Sequence, residues 1–208
     1  MTAISRRQFV VAASVFGASH STASRRSLAA EADQFDLNKP LQGWQTISGD
    51  WAIQNVPGAR DGRALVQRAT NNQFNVIVAP GGPYENVSAS VRFKPMAGRE
   101  DASGGIVFRY SEGRYYLIRA NALEDNFRLY YYDNARRMLA SATTKPPALG
   151  QWHTLRITAR ADHIQGWLND QALLDHRDSR FAAGRVGLWT KADSITAFET
   201  LTVQPIEG

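Results

Sequence analysis

The sequence YYLIRANALEDNFRLYYYD, residues 115–133, decides the fold. It contains five of the chain's seven tyrosines, in two runs that are rich in aromatic and aliphatic residues. Such residues favour β-strands, in which successive side chains point to opposite faces of the sheet. We therefore predict two strands, Tyr115–Ala120 and Phe127–Tyr132, joined by a polar connection that contains Asn121, Glu124 and Asp125.

The same pattern continues on both sides of this stretch. Val87–Lys94 and Trp152–Arg160 alternate between apolar and polar residues, and turn signals such as Pro80-Gly81-Gly82-Pro83 separate the runs. Helical periodicity is restricted to one short turn near Ser179–Ala183. Short strands with brief turns predict an all-β fold, an antiparallel β-sandwich or jelly roll that forms a single domain over residues 33–208. Further strands are predicted at Trp51–Asn55, Ala64–Ala69, Asn75–Ala79, Gly105–Tyr110, Met138–Thr143, Ile164–Leu168, Arg185–Thr190 and Ile195–Gln204.

Residues 1–32 differ from the rest of the chain and predict an export signal. Ser5-Arg6-Arg7-Gln8-Phe9 matches the twin-arginine motif, and an apolar run too short for a permanent membrane anchor follows it. Ala30-Glu31-Ala32 resembles an A-x-A cleavage site. We expect a twin-arginine signal peptide in residues 1–32 and a domain that is periplasmic or secreted. The alternative is an unstructured tail with a chance pair of arginines.

Composition excludes several classes of protein. The chain has no cysteine, which excludes disulfides, thiolate metal sites and a cysteine nucleophile. Four of its 24 basic residues and one of its 19 acidic residues lie in residues 1–32, so the remaining chain carries a net charge of only +2. Since no segment there is a lysine- or arginine-rich run, we expect no nucleic-acid partner and no membrane insertion of the mature domain. The oligomeric state is left open.

Three segments of the chain resemble a known family. Gly104–Tyr110, Tyr115–Asn126 and Gly187–Thr196 are similar to bacterial concanavalin A-like (LamG-type) jelly-roll proteins, especially those near the 3-keto-disaccharide hydrolase domains. The resemblance implies two antiparallel sheets, one of them concave, with ligands on the concave face or in the rim loops. It also implies that the first and last strands pair, which would place Phe35 beside Ile195–Val203.

The residues themselves favour a binding surface. On the second strand of the opening stretch, Arg128, Tyr130 and Tyr132 should share a face, opposite a core face that we assign to Phe127, Leu129, Tyr131 and Leu117. Tyrosine rings can stack on a sugar and guanidinium groups can bind its oxygens in pairs, so a glycan would suit this face. The alternative is a set of good strand formers on a solvated face. The remaining candidates for this surface are Arg109, by its phase, and Arg119.

The polar connection has two interpretations that stay open. Asn121, Glu124 and Asp125 bring oxygen atoms together, which hard cations such as calcium prefer, but the same residues also favour capped turns. Catalysis by two carboxylates is not favoured, because Glu124 and Asp125 are adjacent and would point to opposite faces of a strand. No other cofactor is expected.

A second polar pair follows a predicted strand. Lys191 and Asp193 stand where Arg185–Thr190 leaves the sheet. They could form an ion pair that fixes the loop, or they could line the mouth of a ligand pocket.

Together, these features predict a domain that binds a carbohydrate or another polar cell-envelope ligand without covalent chemistry. A glycan-processing enzyme that resembles the 3-keto-disaccharide hydrolases and acts on glycosidic bonds is the first alternative. A structural envelope protein without a small ligand is the second. No residue can be assigned a catalytic role from the sequence.

Overall fold

The computed structural model describes Met1 and residues 31–207. These residues form fifteen β-strands and no helix, so the short helical turn predicted near Ser179–Ala183 is wrong. No helix in this part of the chain has the length and apolarity to cross a membrane. The strands are β1 Asp33–Phe35, β2 Gln45–Ser48, β3 Trp51–Asn55, β4 Arg63–Gln67, β5 Asn72–Val78, β6 Val87–Ala97, β7 Ser103–Ser111, β8 Arg114–Asn121, β9 Asn126–Asp133, β10 Ala135–Thr143, β11 His153–Arg160, β12 His163–Leu168, β13 Gln171–Arg177, β14 Arg185–Ala192 and β15 Ile195–Pro205.

The strands form two antiparallel sheets, which confirms the predicted sandwich. The larger sheet has the order β13-β12-β11-β6-β15-β4-β3, with β1 paired to β15. The smaller sheet has the order β10-β9-β8-β7-β14-β5-β2. Phe35 of β1 lies opposite Leu201 of β15, so the first and last strands pair as the family resemblance implied. The predicted export signal lies, except for Met1 and its last two residues, outside the described residues and stays a prediction.

The main core lies between the two sheets. Strand β6 shows the expected alternation, with every second side chain buried from Val87 to Pro95. Phe93 of this strand, Phe127 of β9 and Phe198 of β15 are fully buried in the same cluster. Each such side chain contributes about 1.5–3 kcal/mol when it is removed from water, so the domain can be stable without disulfides.

A second apolar cluster covers the outer face of the seven-stranded sheet. The ring centroids of Tyr132 of β9 and Phe74 of β5 are 5.9 Å apart. Four strand spacings, about 19 Å in a flat sheet, separate the two strands, so the sheet must curl towards this face. The curled face is therefore concave, and it buries Val76, Val78, Val107, Tyr115, Leu117, Tyr130 and Trp189.

The register of β8 with β9 and the covering of the outer face correct two of the sequence-based predictions. Leu117 is buried, but it lies on the concave face rather than in the core that holds Phe127 and Leu129. Tyr130, which we expected on an exposed face, is only 5% exposed. Alternation separates the two faces of each strand, but it reveals neither which face of β8 matches which face of β9 nor that the outer face is covered as well.

Candidate functional site

Polar side chains gather at one end of the concave face, where β8 and β9 meet the connection between them. Arg119 of β8 lies directly opposite Arg128 of β9. Leu117 lies opposite Tyr130, one step further along the same face. The antiparallel register thus places two guanidinium groups and one phenol beside the loop that carries Glu124.

Glu124 holds the two arginines together. Its Oε2 atom accepts hydrogen bonds from Arg119 Nη2 at 2.7 Å and from Asn126 Nδ2 at 3.0 Å, and it lies 3.6 Å from Arg128 Nη1. Burial alone would raise the pKa of Glu124, but the hydrogen bonds from Arg119 and Asn126 and the charges of both arginines outweigh it and lower the pKa. The carboxylate is about one-third exposed and Arg119 is almost fully buried, so Glu124 stands at the entrance and Arg119 behind it.

Tyr130 lies among the same cations. Its hydroxyl oxygen is 3.3 Å from Arg128 Nη1 and 3.5 Å from Arg119 Nη2, both of which donate to it. Burial by itself would raise the pKa of the Tyr130 phenol. The charges of Arg119 and Arg136, together with the hydrogen bonds from Arg128 and Arg119, reverse the effect and lower it.

Arg136 belongs to this site, although sequence reasoning missed it. Its guanidinium lies over the Tyr130 ring at 4.4 Å, over Phe74 at 5.1 Å and over Trp189 at 5.7 Å. Cation–π attraction offsets part of the cost of burying this charge. The signal was present in the sequence, since a tight turn at Asp133-Asn134 places Arg136 opposite Tyr132 on the concave face.

Asp101 is a second residue that the sequence did not reveal. It is buried in the connection between β6 and β7, and its charge raises the pKa of Arg136, although burial of Arg136 lowers that pKa more strongly. Lys191 Nζ lies 3.4 Å from Asp101 Oδ2, and Ser194 donates to Asp101 Oδ1. No local pattern marks Asp101 in advance, because its position depends on pairing between distant strands.

Several buried polar atoms of this cluster have no hydrogen-bond partner. They include Arg119 Nη1, Arg128 Nε and Arg136 Nη1 among the described residues. A buried donor that is left unpaired costs about 1–3 kcal/mol, so unpaired donors are uncommon in folded proteins. Three such N–H groups on one face indicate a place where a ligand's oxygen atoms could accept hydrogen bonds.

Arg109 does not join this cluster, which corrects its predicted place on the same face. Strand β7 bulges before Ser111, and the Arg109 side chain turns to the end of the sandwich, where it borders a cleft of about 540 Å³. Its guanidinium donates to the carbonyl oxygens of Glu85, Ala161 and Phe181 at 2.7–3.2 Å. The hydrogen bonds of Arg109 therefore hold together three loops of the chain, and its guanidinium is used for that structural role.

We predict that Arg109→Lys lowers the free energy of unfolding by about 2–3 kcal/mol, because a single ammonium nitrogen cannot reach all three carbonyls that the separate guanidinium nitrogens reach. Ligand affinity should not change, since the polar cluster of the concave face is untouched. Urea unfolding with calorimetric titration of the same variant checks both statements, and Arg114→Lys, at an exposed turn, is the matched control. Loss of affinity with unchanged stability would contradict this role.

The other predicted site residues support the loops around the cluster. Asn121 Oδ1 accepts hydrogen bonds from the backbone N–H groups of Ala102 and Leu123, which forms the capped turn that was one of the two interpretations. Asp125 is exposed. The described residues include no group of three or more histidine, aspartate or glutamate side chains placed to hold a metal ion, so the geometry adds no support for calcium.

Lys191 and Asp193 act on the same neighbouring loop. Asp193 accepts hydrogen bonds from the backbone N–H groups of Arg99, Glu100 and Asp101, and these bonds lower its pKa, that from Arg99 most strongly. Lys191 pairs with Glu100 and Asp101 at 3.4 Å each. The two residues thus fix the loop that carries Asp101 beside the cluster.

Comparison with known proteins shows which family and which relatives this chain resembles. A family model described as a 3-keto-alpha-glucoside-1,2-lyase-like domain matches residues 33–204. A levanase of Bacillus subtilis (strain 168) is 25% identical over 169 residues, which cover 78% of this chain but only 23% of the levanase.

Two solved structures from Bacillus subtilis share the fold. The carbohydrate-binding module CBM66 superimposes with a TM-score of 0.67 and 22% identity over 79% of this chain and 96% of the module. A protein of unknown function with a galectin-like fold gives a TM-score of 0.65 and 11% identity over 83% of this chain and 94% of its own. At these identities the superpositions show a common jelly-roll fold.

Proposed function

The chain belongs to the family of 3-keto-alpha-glucoside-1,2-lyase-like domains, and from this premise we propose that it binds a carbohydrate non-covalently on its concave face. The proposed contacts are Glu124, Arg119, Arg128 and Tyr130. The similarity to a carbohydrate-binding module and to part of a levanase supports the class of ligand. The side chains at the end of β8 and β9 support the location.

One observation carries the proposal. A carboxylate acceptor, Glu124, stands at the entrance with guanidinium donors directly beside and behind it. Neighbouring hydroxyls of a sugar ring both donate and accept, so a side-by-side acceptor and donor can bind two of them at once. Because Glu124 is already held by Arg119 and Asn126, little side-chain freedom is lost when the sugar binds.

The same face supplies apolar contacts near the polar ones. Met138 of β10 lies opposite Tyr130 and is 58% exposed, which is unusual for a large apolar side chain on a covered face. Tyr132, beside it on β9, is partly exposed. Sugar rings expose C–H groups on their faces, and apolar and aromatic surfaces of this kind pack against them.

A second candidate function is elimination from a 3-keto-α-glucoside, as the description of the family suggests. The observation that favours it is Tyr130, whose phenol has a lowered pKa and lies beside the Arg119–Glu124 pair. A phenol with a lowered pKa gives up its proton more readily than an ordinary tyrosine, which suits a reaction that requires proton abstraction. In this case the cluster would bind the same class of molecule, with Tyr130 as the residue that moves a proton.

We further propose that the protein acts outside the cytoplasm. The support is the twin-arginine motif at residues 5–9, which precedes the described domain. Absence of cysteine is compatible with this compartment, because the sandwich is stabilised by its two apolar clusters.

Calorimetric titration with a panel of glycans, including levan and a 3-keto-α-glucoside, tests the proposal. We expect saturable binding of at least one glycan, with the glycan recovered intact afterwards by mass spectrometry. Recovery of cleaved product would show that the protein is catalytic and would favour the second candidate function over non-covalent binding. If no glycan binds and none is consumed, both functions are wrong.

A further inference from the structure

The polar cluster of the concave face carries an excess of positive charge. Arg119, Arg128 and Arg136 all act on the same hydroxyl, that of Tyr130. The carboxylate that pairs with them is Glu124, which binds Arg119 at 2.7 Å and lies 3.6 Å from Arg128. The charge of Asp125 also acts on Arg128, but Asp125 is exposed to water, so Glu124 is the carboxylate that is bonded within this group of three guanidinium groups.

The neighbouring acid, Asp101, is bonded to groups outside the cluster. Asp101 is the other carboxylate that acts on Arg136, but it is also 3.4 Å from Lys191 and accepts a hydrogen bond from Ser194. Asp101 is paired with Lys191, which also pairs with the exposed Glu100, whereas the guanidinium of Arg136 lies against the faces of three aromatic rings.

Burial makes this excess expensive. Buried charges are normally paired, because removing a charge from water costs several kcal/mol even after the protein relaxes. Arg119 is only 2% exposed, and its Nη1 atom is among the buried atoms without a hydrogen-bond partner. Arg128 Nε and Arg136 Nη1 are also buried and without a hydrogen-bond partner. The unused donors and the unbalanced charge occur together on one face.

We propose that the ligand is an acidic sugar, a uronic acid residue whose carboxylate lies among Arg119, Arg128 and Arg136. This inference rests on the proposed carbohydrate-binding function and names its ligand class. A planar carboxylate matches the fork of guanidinium N–H groups and can accept from two of them at once.

The arrangement also orients such a ligand. Glu124 repels a second carboxylate, so the acid group of the sugar lies on the Arg136 side of the cluster, and a ring hydroxyl lies at Glu124. Arg128 and Glu124 are each about one-third exposed, which leaves the entrance open to the end of a glycan chain. Arg119 lies behind them as the buried end of the site.

Paired titrations with oligogalacturonate and with the matching neutral galacto-oligosaccharide test the inference on the full chain. We expect the acidic ligand to bind about tenfold or more tightly at low salt, as charged hydrogen bonds predict. Its affinity should fall with added sodium chloride while that of the neutral ligand does not. This salt comparison needs no variant and stands even if a substitution disturbs folding.

Arg136→Gln should remove most of the preference for the acidic ligand, measured as the ratio of the affinities for the acidic and the neutral ligand in the same variant. Arg137→Gln, one residue along β10 and exposed, is the matched control and should keep the preference. Equal binding of the two ligands by the wild-type protein would overturn the inference and leave the proposed function standing. Failure to bind any glycan would contradict both the acidic-sugar inference and the proposed carbohydrate-binding function. Binding of the neutral ligand alone would contradict the acidic-sugar inference.

Discussion

Replacing Trp189 with alanine should lower the free energy of unfolding by about 3–5 kcal/mol, the usual cost of removing a large buried aromatic side chain. Trp189 is fully buried on the concave face, with the Phe74 ring at 5.7 Å and the Arg136 guanidinium at the same distance. Its removal leaves a cavity beneath Arg136 and deprives that buried charge of one of its three aromatic contacts.

Equilibrium unfolding in urea checks this prediction. Trp189→Phe retains most of the volume and should cost clearly less. Trp167→Ala is the matched control, because Trp167 is partly exposed on the larger sheet, where Arg156 stacks on it at 3.8 Å, and a loss of about 1 kcal/mol or less is expected there. If the two alanine variants lose equal stability, the concave cluster is not a second core.

The concave cluster explains what sequence analysis could and could not supply. The alternation along β14 places Leu188 and Trp189 on opposite faces, and both are fully buried. Leu188 packs between the sheets and Trp189 under Arg136. A period of two identifies the faces, but whether a face is covered depends on curvature, which arises from contacts between distant strands such as that of Phe74 with Tyr132.

The strands themselves were largely predictable. Trp51–Asn55 is found with the predicted bounds, whereas the edge strands β2 and β13 were missed. Strand β13 ends in the charged run Asp175-His176-Arg177 and pairs with β12 across a bulge, so neither composition nor strict alternation marks it.

The candidate site was predictable in part. Arg119, Glu124, Arg128 and Tyr130 come from one stretch of sequence, and one hairpin brings them together. Predicting that Arg136 joins the site requires knowledge of the register between β9 and β10. Asp101 required a tertiary contact that no local pattern contains.

Burial of Tyr130 changes how the site should be tested. A substitution such as Tyr130→Ala would remove a buried ring from the concave cluster, and the resulting loss of stability would obscure any effect on binding. Glu124 is the better choice, because it is more exposed and lies at the entrance of the site.

Glu124→Gln should lower ligand affinity by about tenfold to a hundredfold, since a neutral amide replaces a charged acceptor at the centre of the polar cluster. The amide keeps the shape of the side chain, so folding should persist, although Arg119 loses its charged partner. Calorimetric titration with the neutral galacto-oligosaccharide, which carries no carboxylate for Glu124 to repel, measures the change, and the same ligand is used for the pH dependence below. Glu112→Gln makes the same substitution in the exposed turn between β7 and β8 and should leave affinity unchanged.

The pH dependence of binding gives an independent readout of the same carboxylate. Hydrogen bonds from Arg119 and Asn126 favour the charged form of Glu124, so its pKa in the folded protein lies below the ordinary value. The wild-type protein should therefore keep its affinity as pH falls to the ordinary glutamate range, about 4.3, and lose it only as pH falls through the lowered pKa. Glu124→Gln has no carboxylate to protonate at this position and should lack that step. If the variant binds as tightly as wild type, or shows the same acid step, the acceptor for the sugar hydroxyl is not Glu124 and the centre of the site must lie elsewhere on the concave face.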